Sequence, residues 1–290
     1  MKKNTMKIFA LTIFLLGLLL VAYPFISMSI DDYGQANKNE KFNNLISKDK
    51  SISNKLSKLE KLNKKNIKDE DFQLENVFTS KDVDNKQSKY SKLGINTNDK
   101  VGYVSIPKLG QSFDLYLDAN YEKIARGVAV LKESDPPIGG AGKRTVIAGH
   151  DGYYNRIFFM HIKKLDRGDK IIIKFLNKTL VYSVYEKEII NPTDFDKIKA
   201  IENKDVLTLL TCTQRPYYNK RLIVSAIRDV KNENSPKTTD NGLFTYLGND
   251  KVPMNIKLRK MGPYLISLVF FILIIKILIK MYKLIEDREK

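Results

Sequence analysis

The sequence predicts a mainly β fold, a closed barrel or a sandwich with short helices, carried between two apolar helices. Three observations predict it. From Val101 onward, short runs rich in β-branched residues recur between turn residues, with few helical patterns among them. A nearly unbroken apolar stretch lies close to each end of the 290-residue chain. Between the first stretch and the strands, Gln35 to Ser88 is rich in Lys, Asn, Asp and Ser and holds neither glycine nor proline.

The first apolar stretch, Ile8 to Ile30, is long enough at about 1.5 Å per residue to cross a roughly 30 Å hydrocarbon core. Lys2, Lys3 and Lys7 precede it and Asp31 and Asp32 follow, a bias that places the N-terminus in the cytoplasm. A cleaved signal peptide would have a shorter apolar region and an A-x-A site after it, and no good site follows here. Residues 1–30 therefore read as an anchor. Residues 31–99 read as a helical stalk with a mobile segment. Leu45, Ile52, Leu56 and Leu59 recur at spacings of three, four and seven, which fits an amphipathic helix.

The barrel or sandwich is expected over residues 100–232. It opens at Val101 to Ile106, ended by Pro107. Further strands are expected at Ser112–Leu117, Lys143–Ala148, Lys170–Phe175, Thr179–Ile189, Asp205–Thr211 and Arg221–Ile227, with a tight turn at Asn177-Lys178. Short helices are expected at Tyr121–Arg126 and Arg156–Leu165. Residues 233–262 read as a linker, residues 263–281 as a second span and residues 282–290 as a tail. Lys276 lies near the far end of that span, where its long side chain can snorkel. Lys257, Arg259 and Lys260 run against the inside-positive trend, so the orientation rests on the first span. A buried core helix is the competing reading of this segment.

Fifty basic and 33 acidic side chains leave a formal charge of +17, which implies an anionic neighbourhood. Two spans put the domain between them outside the cytoplasmic membrane. The anionic partner is then lipid or wall polymer rather than nucleic acid. A single cysteine excludes an intramolecular disulfide and the Cys₄ and Cys₂His₂ zinc sites.

That cysteine, Cys212, ends the run Thr208-Leu209-Leu210-Thr211-Cys212-Thr213. A cysteine after a buried strand is commonly a small core hydrophobe. In an exported chain that spends no other cysteine, a thiol at a strand end is also a candidate nucleophile. His150, one of two histidines, ends Thr145-Val146-Ile147-Ala148-Gly149. It is either a general acid/base or a hydrogen-bonded strand terminus. His161 lies in the second expected helix and reads as surface or packing. Arg221 opens the strand after the Cys212 loop. It is a surface charge unless a hairpin-like return through Gln214–Lys220 sets it beside the sulfur as an oxyanion donor.

With these residues placed, Val101 to Val230 resembles the sortases, cysteine transpeptidases of Gram-positive surfaces. Thr208-Leu209-Leu210-Thr211-Cys212 is similar to their T-L-x-T-C signature, and the step from Cys212 to Arg221 is similar to their Cys-to-Arg spacing. Ala148-Gly149-His150 resembles their histidine motif, and Pro137-Ile138-Gly139-Gly140 is also family-like. The resemblance implies an eight-stranded barrel. It implies Cys212 as nucleophile, His150 as general acid/base and Arg221 as stabiliser of substrate and oxyanion, with Ala148, Thr211 and Thr213 as substrate-binding candidates. It implies cleavage of an L-P-x-T-G-like sorting signal between Thr and Gly, a thioacyl enzyme and transfer to an amine, with no metal or cofactor.

The second apolar segment and the tail resemble class C, the pilus-polymerising members. The expected partners are therefore pilins or surface proteins bearing such a signal, and an acceptor amine from a pilin lysine or a peptidoglycan precursor. The chain departs from class C in two places. No Asp-Pro-aromatic lid motif precedes the barrel; Glu75-Asn76-Val77-Phe78 is the nearest sequence, and Asp135-Pro136-Pro137 lies in the wrong place. Asp151 follows His150 where many class C members carry arginine. Anchoring to peptidoglycan, a water-using cysteine peptidase or amidase, and an inert surface scaffold are the alternative functions. The acceptor identity, a free-carboxylate product and an unreactive Cys212 would respectively identify them.

Overall fold

The structure, a computed structural model, describes residues 2–64, 77–78, 88–153, 156–213, 219–233, 247 and 254–289. The chain divides into two compact units, Met1–Gly34 with Val252–Lys290, and Gln35–Lys251.

The first unit is made of apolar helix. Helix α1 runs over Lys2–Lys48 and a C-terminal helix, α4, over Met254–Glu289. Both are long and apolar enough to cross a membrane, and only 6% of the most apolar stretch of each is buried. That exposure removes the buried-core reading of the C-terminal segment. Large apolar side chains such as Phe9, Leu20, Leu268 and Phe271 are exposed along both helices. The two helices touch through a Ser29–Ser267 hydroxyl pair at 3.3 Å and stacked Phe25 and Phe270 rings at 6.1 Å. Near the apolar boundary, Asp32 accepts from the Tyr264 hydroxyl at 2.8 Å and pairs with Lys260 at 3.1 Å. Both helices extend well past the expected spans, over Lys2–Lys48 and Met254–Glu289.

The second unit is built on a closed barrel in the order β1-β2-β3-β4-β7-β8-β6-β5. Its strands are β1 (Gly102–Ile106), β2 (Gln111–Tyr116), β3 (Val128–Val130), β4 (Lys143–Ala148), β5 (Lys170–Phe175), β6 (Lys178–Ile190), β7 (Asp205–Cys212) and β8 (Arg221–Arg228). Closure comes from antiparallel pairing of β1 with β5, Gly102 opposite Phe175. Two contacts are parallel, β2 with β3 and β4 with β7. β4 and β7 are buried along almost their whole length, which explains their continuous apolar runs.

Seven of these strands lie where the sequence expects them, and β3 is the addition. Three residues are too few to show a period. Helix α3 (Tyr121–Arg126) begins where Asn120 Oδ1 accepts the Lys123 N–H at 2.9 Å. The segment expected as a helix over Arg156–Leu165 is instead a 3₁₀ stretch, Phe158–Lys164. The turn between β5 and β6 sits one residue earlier than expected, at Leu176-Asn177. Leu176 takes φ +50 there, donating its N–H to the Val101 carbonyl at 2.9 Å. Burial of its side chain offsets that backbone strain.

Helical residues from Gln35 onward lie against the barrel. Gln35 donates to Asp114 at 2.9 Å, Asn39 to Ser112 at 2.9 Å, and Phe42 meets Tyr103 edge-on at 6.4 Å. Helix α2 (Ile52–Lys64) buries Ile52, Leu56 and Leu59 as the periodicity predicts. Leu45 does not join them and is 62% exposed. α1 ends at Lys48 and α2 starts at Ile52, so the four residues belong to two helices and share no single face.

At the N-terminal end of β7, Asp205 accepts from Arg228 at 3.0 Å, from the Tyr182 hydroxyl at 3.1 Å and from the Gly140 N–H at 2.9 Å. This is the structural role of Pro137-Ile138-Gly139-Gly140. Gly139 has φ +75, and a Cβ there would come within 2.1 Å of Arg228 Nη1.

Candidate active site

Strand register brings the three sequence-predicted groups to one end of the barrel. β7 and β8 are antiparallel, and Cys212 at the end of one lies opposite Arg221 at the start of the other. Directly paired residues point to the same face, so thiol and guanidinium share one side of the sheet. β4 lies on the other flank of β7, in parallel, with Ala148 beside Leu210. The Gly149 N–H continues that ladder to the Leu210 carbonyl at 3.0 Å, and His150 follows as the chain leaves the sheet. Gly149 is required there, since a Cβ would come within 2.8 Å of the Phe159 ring. The His150 carbonyl accepts the Phe159 N–H at 2.9 Å, which fixes the exit of the loop.

A fourth residue links these groups. The Phe78 ring stands edge-to-face with the His150 imidazole at 6.2 Å, and the Arg221 guanidinium lies over the same ring at 5.1 Å. Cys212 packs against the apolar cluster that holds Val77, Phe78, Ala148, Leu210, Ile190 and Ile223. Imidazole and guanidinium therefore meet at the Phe78 ring, and the thiol packs against the cluster that holds it. Val77 and Phe78 come from the nearest sequence to a lid motif; Glu75 and Asn76 lie outside the described residues.

The imidazole has two more aromatic neighbours. Tyr153 stacks on it at 4.6 Å with an interplanar angle of 16°, and Tyr121 meets it edge-on at 5.6 Å. The two tyrosine hydroxyls are 3.3 Å apart. Sequence reasoning passed over both tyrosines. Tyr153 is only three residues beyond His150, but nothing in the sequence tells that the loop folds back on the ring. His150 Nε2 makes no hydrogen bond among the described residues.

Burial sets the charge state of the pair. It pushes the Cys212 thiol above its ordinary range; the nearby Arg221 charge opposes this and the Asp151 carboxylate adds to it. Burial also holds the His150 imidazole below its ordinary value. Near neutral pH both are uncharged, a thiol and a free base. Such a pair can pass the thiol proton to the imidazole as sulfur attacks a carbonyl. Arg221, 8% exposed, donates Nη1–H to the Lys220 carbonyl at 3.1 Å and adds a fixed cation beside the sulfur.

The remaining candidates sit in the wall. Ala148 is fully buried and Thr211 is 1% exposed, its hydroxyl unpartnered among the described residues. Thr213 opens the β7–β8 connection, its N–H donating to the Lys220 carbonyl at 3.2 Å. Of that connection, residues 214–218 lie outside the described residues. His161 falls in the 3₁₀ stretch Phe158–Lys164.

Comparison with known proteins points one way. A family model described as a sortase domain matches residues 104–229. Sortase A of Listeria monocytogenes is 26% identical over 245 residues, which cover 82% of this chain and 97% of that protein. The Bacillus subtilis protein named as a sortase, YwpE, is 31% identical over 78 residues, 27% of this chain and 76% of that one. Among solved structures, the pilus-related sortase C of Group B Streptococcus matches with a TM-score of 0.59 at 27% identity, covering 67% of this chain and 98% of that chain. Sortase C-3 from Streptococcus pneumoniae matches with a TM-score of 0.60 at 26% identity, covering 68% and 91%.

Proposed function

Because the chain belongs to the sortase family of cysteine transpeptidases, we propose that it cleaves an L-P-x-T-G-like sorting signal between Thr and Gly and passes the acyl group to a lysine amine of a pilin-like subunit. The observation that carries this reading is the pairing of Cys212 with Arg221 across β7 and β8, with His150 and Arg221 both against the Phe78 ring. Cys212 attacks the threonine carbonyl as His150 takes its proton. Arg221 holds the developing oxyanion. The imidazolium then protonates the leaving glycine amine, and a thioacyl enzyme remains. The likeness to sortase C structures, one of them described as pilus-related, favours a protein acceptor.

The two apolar helices would hold the barrel at the cytoplasmic membrane. Lys2, Lys3 and Lys7 on one side of the first apolar run, and Asp31 and Asp32 on the other, set the barrel outside.

The test uses the full chain in detergent micelles with an L-P-x-T-G peptide and a lysine-bearing acceptor peptide. Mass spectrometry is expected to find a new amide between the threonine carbonyl and the lysine amine. A free threonine carboxylate alone would make the protein a hydrolase. Product formed only with a wall-peptide amine would make it an anchoring enzyme.

The Phe78 ring packs against both the imidazole and the guanidinium, and in this reading it has to leave for substrate to enter. A desolvated cation–π contact is worth about 2 kcal/mol. Phe78→Ala is therefore expected to raise the rate of Cys212 alkylation by a small thiol reagent, by about tenfold or more. An unchanged rate would end the gating role.

A further inference from the structure

Aminolysis of a thioester has two sides, and the oxyanion side is taken by Arg221 opposite Cys212. The amine must come from the other side, where His150 stands. A lysine amine has an ordinary pKa of about 10.4, so it arrives almost wholly as the ammonium. An arriving cation meets Arg221 and a chain of formal charge +17, both of which repel it. The pocket therefore needs an element that attracts a cation on the imidazole side.

The loop after His150 contains one. Asp151 follows the imidazole directly and is half-buried. Its charge reaches the Cys212 sulfur, as that of Arg221 does. The next residues turn sharply. Gly152 takes φ +80, and Tyr153 and Arg156 exchange N–H···O bonds of 2.9 Å in both directions. That turn lays the Tyr153 ring on the imidazole at 4.6 Å, with Tyr121 at 6.1 Å from Tyr153. A carboxylate one residue from an imidazole that two aromatic rings flank is a setting that attracts an ammonium and its aliphatic stem.

We propose that Asp151, with the rings of Tyr121 and Tyr153, forms the acceptor subsite, which selects a primary ammonium and delivers it to His150. This rests on the transpeptidase reading above. The neutral imidazole takes one proton from the ammonium, and the freed lone pair attacks the thioacyl carbon. The C–N bond forms and the C–S bond breaks. The sulfur leaves as thiolate and takes up the second nitrogen proton, leaving amide, thiol and imidazolium, and the imidazolium returns its proton to water.

The test compares two acceptors with the full chain in micelles and an L-P-x-T-G donor. Nα-acetyl-lysine amide is a cation at neutral pH, and hydroxylamine is uncharged. Asp151→Asn is expected to raise KM for the lysine acceptor about five- to tenfold. The hydroxylamine KM should move by less than about twofold, and Asp151→Glu should restore most of the preference. Because KM does not depend on the active fraction, partial misfolding of a variant does not imitate this result. Equal shifts for both acceptors, or no shift, would overturn the role of Asp151 while leaving the transpeptidase reading intact. Wild-type protein that never cleaves the donor would overturn both.

Discussion

Cys212→Ala is expected to abolish covalent product while the barrel stays folded. The two consequences follow from different features of the same residue. Cys212 is half-buried at the last position of β7, and its backbone pairing with Arg221 does not depend on the sulfur. Removing one sulfur from a partly open site costs about 1 kcal/mol, a small share of a domain's stability. Chemically nothing replaces it. The only cysteine in the chain is lost, and neither Thr211, whose hydroxyl is buried in the wall, nor Thr213 offers an equivalent nucleophile. Mass spectrometry of donor–acceptor mixtures and a circular-dichroism melt check the two halves. Product from the alanine variant would defeat the nucleophile assignment. Loss of the melting transition would show instead that Cys212 is a packing residue.

Arg221→Lys is expected to lower kcat by about 10²–10³, the scale of losing one oxyanion donor at about 2.7–4 kcal/mol. Charge is kept, so a purely electrostatic role would be nearly preserved. The planar donor fork is lost, and an ammonium on a flexible stem does not reproduce it. Arg221 is held by strand pairing, by the Phe78 ring at 5.1 Å and by its bond to the Lys220 carbonyl. A shorter, more strongly hydrated side chain would not stay in that place. Steady-state kinetics on the sorting peptide separate the cases: a fall in kcat with little change in KM identifies transition-state stabilisation. Near-normal turnover would remove Arg221 from the site.

The strands that were legible in the sequence share a property. β4, β5, β7 and β8 each bury long apolar runs, and burial on a pleated sheet leaves a pattern that any reader can count. β3 and the stretch Phe158–Lys164 were not legible in the same way. The first is shorter than one countable period, and the second took 3₁₀ rather than α geometry. Leu45 kept the spacing of a stripe but not its face, because spacing predicts burial only within one unbroken helix.

By itself, the sequence determined seven of the barrel's eight strands, the two apolar helices and the three residue types that chemistry on an amide requires. Each is a local property: periodicity, run length, or a scarce side chain at a strand end. The tertiary structure alone decided that those side chains gather around Phe78 at one end of the barrel. It also seated Phe78 against both imidazole and guanidinium and folded Tyr153 and Tyr121 onto His150. These contacts depend on strand order and register, with β7 lying between β4 and β8. Residues that meet across a closed sheet are brought together by the pairing of distant segments, and no local pattern encodes that pairing.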